Sequence, residues 1–198
     1  MKTANIWQDT LLMIVESGAS IVTGCIYAKK NVGQDYRVLP PAPEATGPNV
    51  KHMLTKDFYK ELRLRGYQYS GIFRSIIGCN IEGTRGRLAW SNNWVAFMDC
   101  MLQMRIVSQD TRGLFVPTRI QKLCIDANMH YDAISKMNPD STRQSFEIRV
   151  YPHVDVIRAG GVEIRGLHAT PISKRIPLGV PVLEKNVFIP NFGKAKMK

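Results

Sequence analysis

The chain has 198 residues, 44% of them apolar and 22% charged, the balance of a globular protein rather than of a disordered polymer. Its 27 basic against 16 acidic residues leave a formal net charge of +11, which favours acidic partners such as nucleic acid, anionic lipid or an acidic protein, and also fits a basic, solvated surface. No apolar run approaches a membrane span, and residues 11–15, bracketed by Asp9 and Glu16, are too short for a secretory leader.

In chain order, residues 10–28 predict two strands around the turn ESGA, because LLMIV is a short apolar run and SIVTGCIY is rich in β-branched residues. A lone hairpin is marginal in water, so this one needs a partner. Residues 38–48 carry Pro40, Pro41, Pro43 and Pro48 and predict a linker. Thr55 is placed to cap a helix whose apolar positions are Phe58, Tyr59 and Leu62, with Leu64 a further candidate, and Gly66 to end it. Residues 72–81 and 86–90 predict strands joined by the turn EGTRG. Asn92 or Asn93 then caps a long apolar helix running to about Val107.

The remainder predicts strands. LFVPTRIQKLCID alternates Ile120, Leu123 and Ile125 with polar residues, QSFEIRVYP alternates Phe146, Ile148 and Val150, and two further runs flank Gly160–Gly161. The tail beyond residue 178 is basic and is expected to be extended or disordered. A long apolar helix between antiparallel strands should be wrapped by their sheet, an α+β layer. The four cysteines, Cys25, Cys79, Cys100 and Cys124, show no C-x-x-C pair and no zinc spacing with histidine. Free thiols in a reducing cytosol and no metal site are expected.

One residue in the long helix is out of keeping with its neighbours. Asp99 sits in WVAFMDCMLQ, and Gln103 is one turn later on the same helix face, with Val95, Leu102 and Ile106 on or beside it. Burial disfavours the ionised carboxylate, so Asp99 would hold a proton near neutral pH and be able to give it away. Gln103 can orient it. The bland alternative is a buried acid satisfied by backbone or by Arg105.

The stretches YKELRLRGYQYSGIF, GRLAWSNNWVAFMDCMLQM, GLFVPTRI, GGVEIRGLH and VPVLEKNVFIP, in this order and spacing, closely resemble the dehydratase region of animal-type fatty acid synthase, which is related to polyketide synthase dehydratases. The resemblance runs from about residue 12 over nearly the whole chain. It implies a double hot dog, two long helices each wrapped by an antiparallel sheet. It divides the chain into a remnant of the N-terminal hot dog (1–37), a proline-rich linker (38–50), the C-terminal hot dog (51–178) and an extended basic tail or linker to a next domain (179–198). The implied reaction removes water from a 3-hydroxyacyl group carried on the phosphopantetheine of acyl carrier protein, in the cytoplasm and with no directly bound cofactor. It assigns proton donation to Asp99, orientation of that acid to Gln103, and a border of the substrate tunnel to Tyr69 and Phe73.

The sequence departs from the family in two places. The loop motif Y-G-P-x-F reads YSGIF, so Ser70 and Gly71 replace a glycine and a rigid proline. The family's basic histidine belongs to an HxxxGxxxxP motif, and none of His52, His130, His153 and His168 has glycine four residues later. His52 flanks the linker, His130 and His153 are expected near turns or strand ends, and His168 at a strand end; none is expected to act as the base. The expected partners are acyl carrier protein, the 3-hydroxyacyl substrate, and an N-terminal hot dog half or a second copy. A non-catalytic hot dog interaction module is the alternative, with Arg63, Arg65 and Arg74 as candidates to meet an acidic carrier. Nucleic acid is not an expected partner, because only net charge points to it.

Overall fold

A seven-stranded antiparallel sheet bends around one long helix. The computed structural model describes residues 10–16, 19–29, 32–40, 51–137 and 144–172. The tail over 179–198 and most of the proline-rich linker, residues 41–50, lie outside the described residues. The strands β1 (Thr10–Glu16) and β2 (Ala19–Ile26) form a two-stranded sheet of their own, with a bulge at Ile14/Val15.

The large sheet contains β3 (His52–Leu54), β4 (Ile76–Asn80), β5 (Arg85–Ala89), β6 (Leu114–Ile125), β7 (Ser145–Tyr151), β8 (Val156–Ala159) and β9 (Val162–Ile172). Their order is β3-β4-β5-β7-β8-β9-β6. Helix α1 (Thr55–Arg65) follows β3, α2 (Trp94–Val107) follows β5 and α3 (Ala127–Ser135) follows β6. Leu88, Phe146, Ile148, Ile157 and Ile164 alternate along their strands, all buried, and turn one sheet face toward α2. Among the described residues this is the α+β arrangement of a hot dog. No described helix is long and apolar enough to cross a membrane.

Helix α1 buries Phe58, Tyr59, Leu62 and Arg65, one stripe at helical spacing, while Leu64, off that stripe, is 64% exposed and is not one of its core positions. Gly66 ends it in the left-handed region at φ 109°, its N–H bonding Arg63 O while Tyr67 N–H bonds Leu62 O. Thr55 does not cap this helix as expected. It is the first helical residue, and its hydroxyl donates to Ile77 O of β4 at 2.7 Å instead. Residues 72–75 also depart from the expected strand. Gly71–Phe73 is a 3-10 turn entered at φ 54° on Gly71, and β4 begins only at Ile76.

Strand β6 is where the sequence pattern misleads most. Ile120, Leu123 and Ile125, the apolar positions of the alternation, are each more than a third exposed, and only Cys124 is buried. The strand lies at the sheet edge, beyond the reach of α2, with Pro117 beside a bulge, an edge-strand position that tolerates proline. Leu123 and Ile125 pair with Ile164 and Val162, so they extend the core-facing side of the sheet past its helical cover.

Helix α3 is absent from the sequence reading. Asp126 caps it by accepting from Met129 N–H at 2.9 Å. Its one buried residue is His130, which corrects the expected turn or strand-end position: His130 is 0% exposed and ringed by Trp90, Trp94, Phe97 and Phe146, with centroids 4.3–5.0 Å away. His168 is likewise inside β9 rather than at its end, with Nδ1 3.2 Å from Thr118 Oγ1.

The opposite sheet face is partly covered by residues 32–37. Tyr36 OH donates to Gly161 O at 2.7 Å, and Arg37 N–H donates to Glu163 Oε1 at 3.1 Å. Glu163 is fully buried and ion-paired with Arg158 and Arg165. Burial raises its pKa, but the hydrogen bonds from Arg158, Arg37 and Arg165 outweigh that and hold it below the usual carboxylate range.

Two predictions concern this frame. A Cβ on Gly161 would overlap the Asp126 carbonyl oxygen and crowd His130, so Gly161→Ala should lower unfolding free energy by about 3 kcal/mol in urea titration. Burial depresses the His130 pKa from 6.5 to about 4, and its Nδ1 accepts from Gly161 N–H. Between those values the unfolded chain takes up a proton that the folded chain refuses. Stability should therefore be full above pH 6.5 and fall progressively toward pH 4, by up to about 3 kcal/mol. His130→Phe should flatten that part of a pH series of melting curves.

Candidate active site

Helix α2 begins where Asn93 Oδ1 accepts from Ala96 N–H at 2.9 Å, so Asn93 rather than Asn92 is the cap. Ala96, Phe97, Cys100, Met101, Gln103, Met104, Ile106 and Val107 are buried, which is most of the circumference. Asp99 occupies the edge of that buried surface. It is half-buried, while Val95 one turn before it is 64% exposed and Gln103 one turn after it is 0% exposed. The acid is therefore at a border between core and opening, not on a uniformly apolar face as its sequence neighbours imply.

Gln103 Nε2 donates to Asp99 Oδ2 at 2.8 Å and to Phe73 O at 2.9 Å. Both partners are acceptors, so the amide must present its NH2 to them. Burial raises the Asp99 pKa above its ordinary value, and the hydrogen bond from Gln103 partly opposes this by favouring the ionised form. Arg105, the alternative partner from sequence, pairs with Asp155 at 3.2 Å.

Tyr69 and Phe73 come from the stretch between α1 and β4. Tyr69 is half-buried, stacked on Tyr67 at 5.8 Å and edge-on to Tyr59 at 6.4 Å. Its phenol pKa is raised, chiefly by burial and then by the charge of Asp99. Phe73 is 37% exposed. Its carbonyl, which no side-chain motif can reveal, accepts from Gln103, from Tyr59 OH at 3.3 Å and from Cys100 Sγ at 3.5 Å. The four residues singled out by sequence are thus linked through α2 and this loop. Tyr59 joins them, although the sequence marks it only as a buried helix position.

None of the recorded contacts of the four histidines reaches Asp99. His130 is enclosed by aromatic rings, His168 meets Thr118, and His52 and His153 line a groove of about 860 Å³ bordered also by Arg85, Arg87 and Arg149. Asp99 lines neither that groove nor the cavity of about 700 Å³ between Lys29, Ile125 and α3. Among the described residues no cluster of three His, Cys, Asp or Glu side chains is placed to hold a metal ion.

Arg65 is not available to a carrier protein, which corrects its candidacy. It is 7% exposed, bound to Glu61 at 2.9 Å and to Ile106 O at 2.7 Å. Arg74 lies over the Tyr59 ring, 4.9 Å from its centroid, and Arg63 is exposed.

No family model matches the sequence. Among solved structures, the chain is similar to the dehydratase domain from the CurK module of curacin polyketide synthase, with 17% identity and a TM-score of 0.42 over 61% of this chain and 48% of that one. The dehydratase domain of the CurF module gives 14% and 0.44, over 62% and 48%. A dehydratase structure bearing on substrate selection in the borrelidin and fluvirucin polyketide synthases gives 15% and 0.49, over 81% and 57%. The chain spans about half the length of these structures. Identities and superposition scores of this size assign no activity.

The local chemistry yields its own prediction. Gln103→Leu removes the donor that favours the ionised Asp99 and leaves burial unopposed. The Asp99 carboxyl, followed by carbon NMR, should titrate at higher pH than in the unsubstituted chain, by about one pH unit.

Proposed function

We propose that this chain carries the acid half of a 3-hydroxyacyl dehydratase site. The observation that supports it is the half-buried Asp99, its pKa raised, held by an amide that is itself fixed on the Phe73 carbonyl. In the reaction, a base removes the α-proton of the 3-hydroxyacyl thioester, C2=C3 forms, and the C3–O bond breaks. The departing hydroxyl takes the Asp99 proton and leaves as water. Asp99 ends ionised, the form that the Gln103 N–H favours. Tyr69 and Phe73 border the acyl group, which arrives on the phosphopantetheine of acyl carrier protein. The sequence stretches around Asp99 and Tyr69 support a fatty acid synthase as the parent system.

The base comes from outside the surroundings of Asp99, on a first hot dog bearing the HxxxGxxxxP histidine. The isolated chain is then inactive. A second reading, a hot dog interaction module, is favoured by Leu123 and Ile125 exposed on the edge strand β6. Both readings place a partner hot dog, or a second copy, against this chain.

The decisive assay follows dehydration of a 3-hydroxybutyryl thioester by this chain alone and after mixing with a separately produced, histidine-bearing first hot dog. Turnover should appear only in the mixture and disappear with Asp99→Asn. Complex formation without turnover would support the interaction module instead. Turnover by the chain alone, lost with Asp99→Asn, would show that another of its residues serves as the base.

A further inference from the structure

We propose that Tyr59 is a positioning residue for Asp99: its hydroxyl fixes the Phe73 carbonyl on which the Gln103 amide is held. This rests on the proposed acid role of Asp99 for its purpose, though not for its geometry. Tyr59 is 5% exposed, and its hydroxyl bonds to both sides of one loop. It donates to Phe73 O at 3.3 Å and accepts from Ile76 N–H at 3.1 Å. The ring is held between Phe58, 5.2 Å away and edge-on, and the Arg74 guanidinium at 4.9 Å. Phenylalanine would fill the same space, so what the hydroxyl adds is the clamp on residues 73–76.

The clamp continues to the acid. Phe73 O receives one Gln103 N–H, and Asp99 Oδ2 receives the other. Gln103 Oε1 is buried and has no hydrogen-bond partner among the described residues. With both acceptors in place, turning the amide over would set Oε1 against two oxygens. The Phe73 carbonyl therefore keeps the NH2 on Asp99. Were that carbonyl to drift, the amide could turn and offer Oε1 to a protonated Asp99. The protonated acid would gain a partner, and its proton would be harder to give away.

Tyr67 supplies an internal comparison. Its hydroxyl makes the same two-sided clamp, donating to Phe115 O at 2.6 Å and accepting from Phe115 N–H at 2.7 Å, with no recorded bond to Gln103. The test is a carbon NMR titration of the Asp99 carboxyl in the full 198-residue chain, with melting curves on the same samples. Tyr59→Phe should raise the Asp99 midpoint by about half to one pH unit, the scale of one lost hydrogen bond. Tyr67→Phe should lower the melting temperature comparably and leave that midpoint in place. An unmoved midpoint in Tyr59→Phe, or an equal rise in Tyr67→Phe, overturns the proposal.

If Tyr59→Phe fails to fold, the Gln103 side-chain NH2 of the unsubstituted chain decides. Slow exchange of both protons with water supports the clamp, and exchange as fast as an exposed glutamine overturns it. An ordinary carboxylate midpoint for Asp99 in the unsubstituted chain would instead remove its role as the acid, while the contrast between the two tyrosines would still report on positioning.

Discussion

The enclosure of α2 by the sheet and α1 governs the rest of this structure. A helix buried over most of its circumference can carry an ionisable group only along the strip its cover leaves open. Asp99 lies on that strip, and its one recorded hydrogen-bond partner is a side chain of the same helix. The loop from Tyr69 to Ser75 runs from α1 to β4 along one border of that strip. It does so by breaking strand geometry at Gly71 and turning the Phe73 carbonyl inward. A continuous strand over 72–81 would have committed that carbonyl to a ladder and left Gln103 with a second buried orphan.

How far this was legible in the sequence depended on whether a pattern was local. The end of α1 at Gly66 and the strands around Phe146–Val150 and Gly160–Gly161 are set by neighbours in the chain and appear as read, and of the two caps the sequence offered for α2, Asn92 or Asn93, the structure uses Asn93. Helix α3 was not legible. Its nine residues bury one side chain, a histidine, so no apolar period marks it, and only Asp126 three residues before Met129 gave a signal. The apolar residues of β6 satisfied a strand pattern but could not show that α2 stops short of the sheet edge. The Asp99–Gln103 pair was visible through its four-residue spacing. The backbone carbonyl that orders it was not, because a carbonyl has no letter.

The net charge of +11 is less concentrated than its size implies. Arg65 is spent on carbonyls at the end of α2, where positive charge also suits the helix dipole. Arg158 and Arg165 neutralise the buried Glu163, Arg85 and Arg149 share Glu147, and Arg105 meets Asp155. Six guanidiniums thus have structural partners. An acidic carrier would have to find its complement elsewhere, and near the Tyr69 loop Arg63 and Arg74 are exposed candidates, Arg74 lying over the Tyr59 ring.

A proton donor must hold its proton until the leaving group needs it and then survive as an anion. Burial alone would serve the first requirement and defeat the second. In the proton-donor role proposed for Asp99, the two requirements fall to different parts of the fold. The sheet, α1 and the loop remove water and raise the pKa; Gln103 supplies a donor that favours the anion. With that amide oriented by a backbone carbonyl, as proposed, its preference would not reverse when Asp99 is protonated. Only a fixed donor, one that cannot turn to suit the protonated acid, leaves the balance between the two forms tilted toward release. On that proposal the Tyr69–Ser75 loop enters the acid's chemistry through the Phe73 carbonyl, although no side chain of that loop is hydrogen-bonded to Asp99.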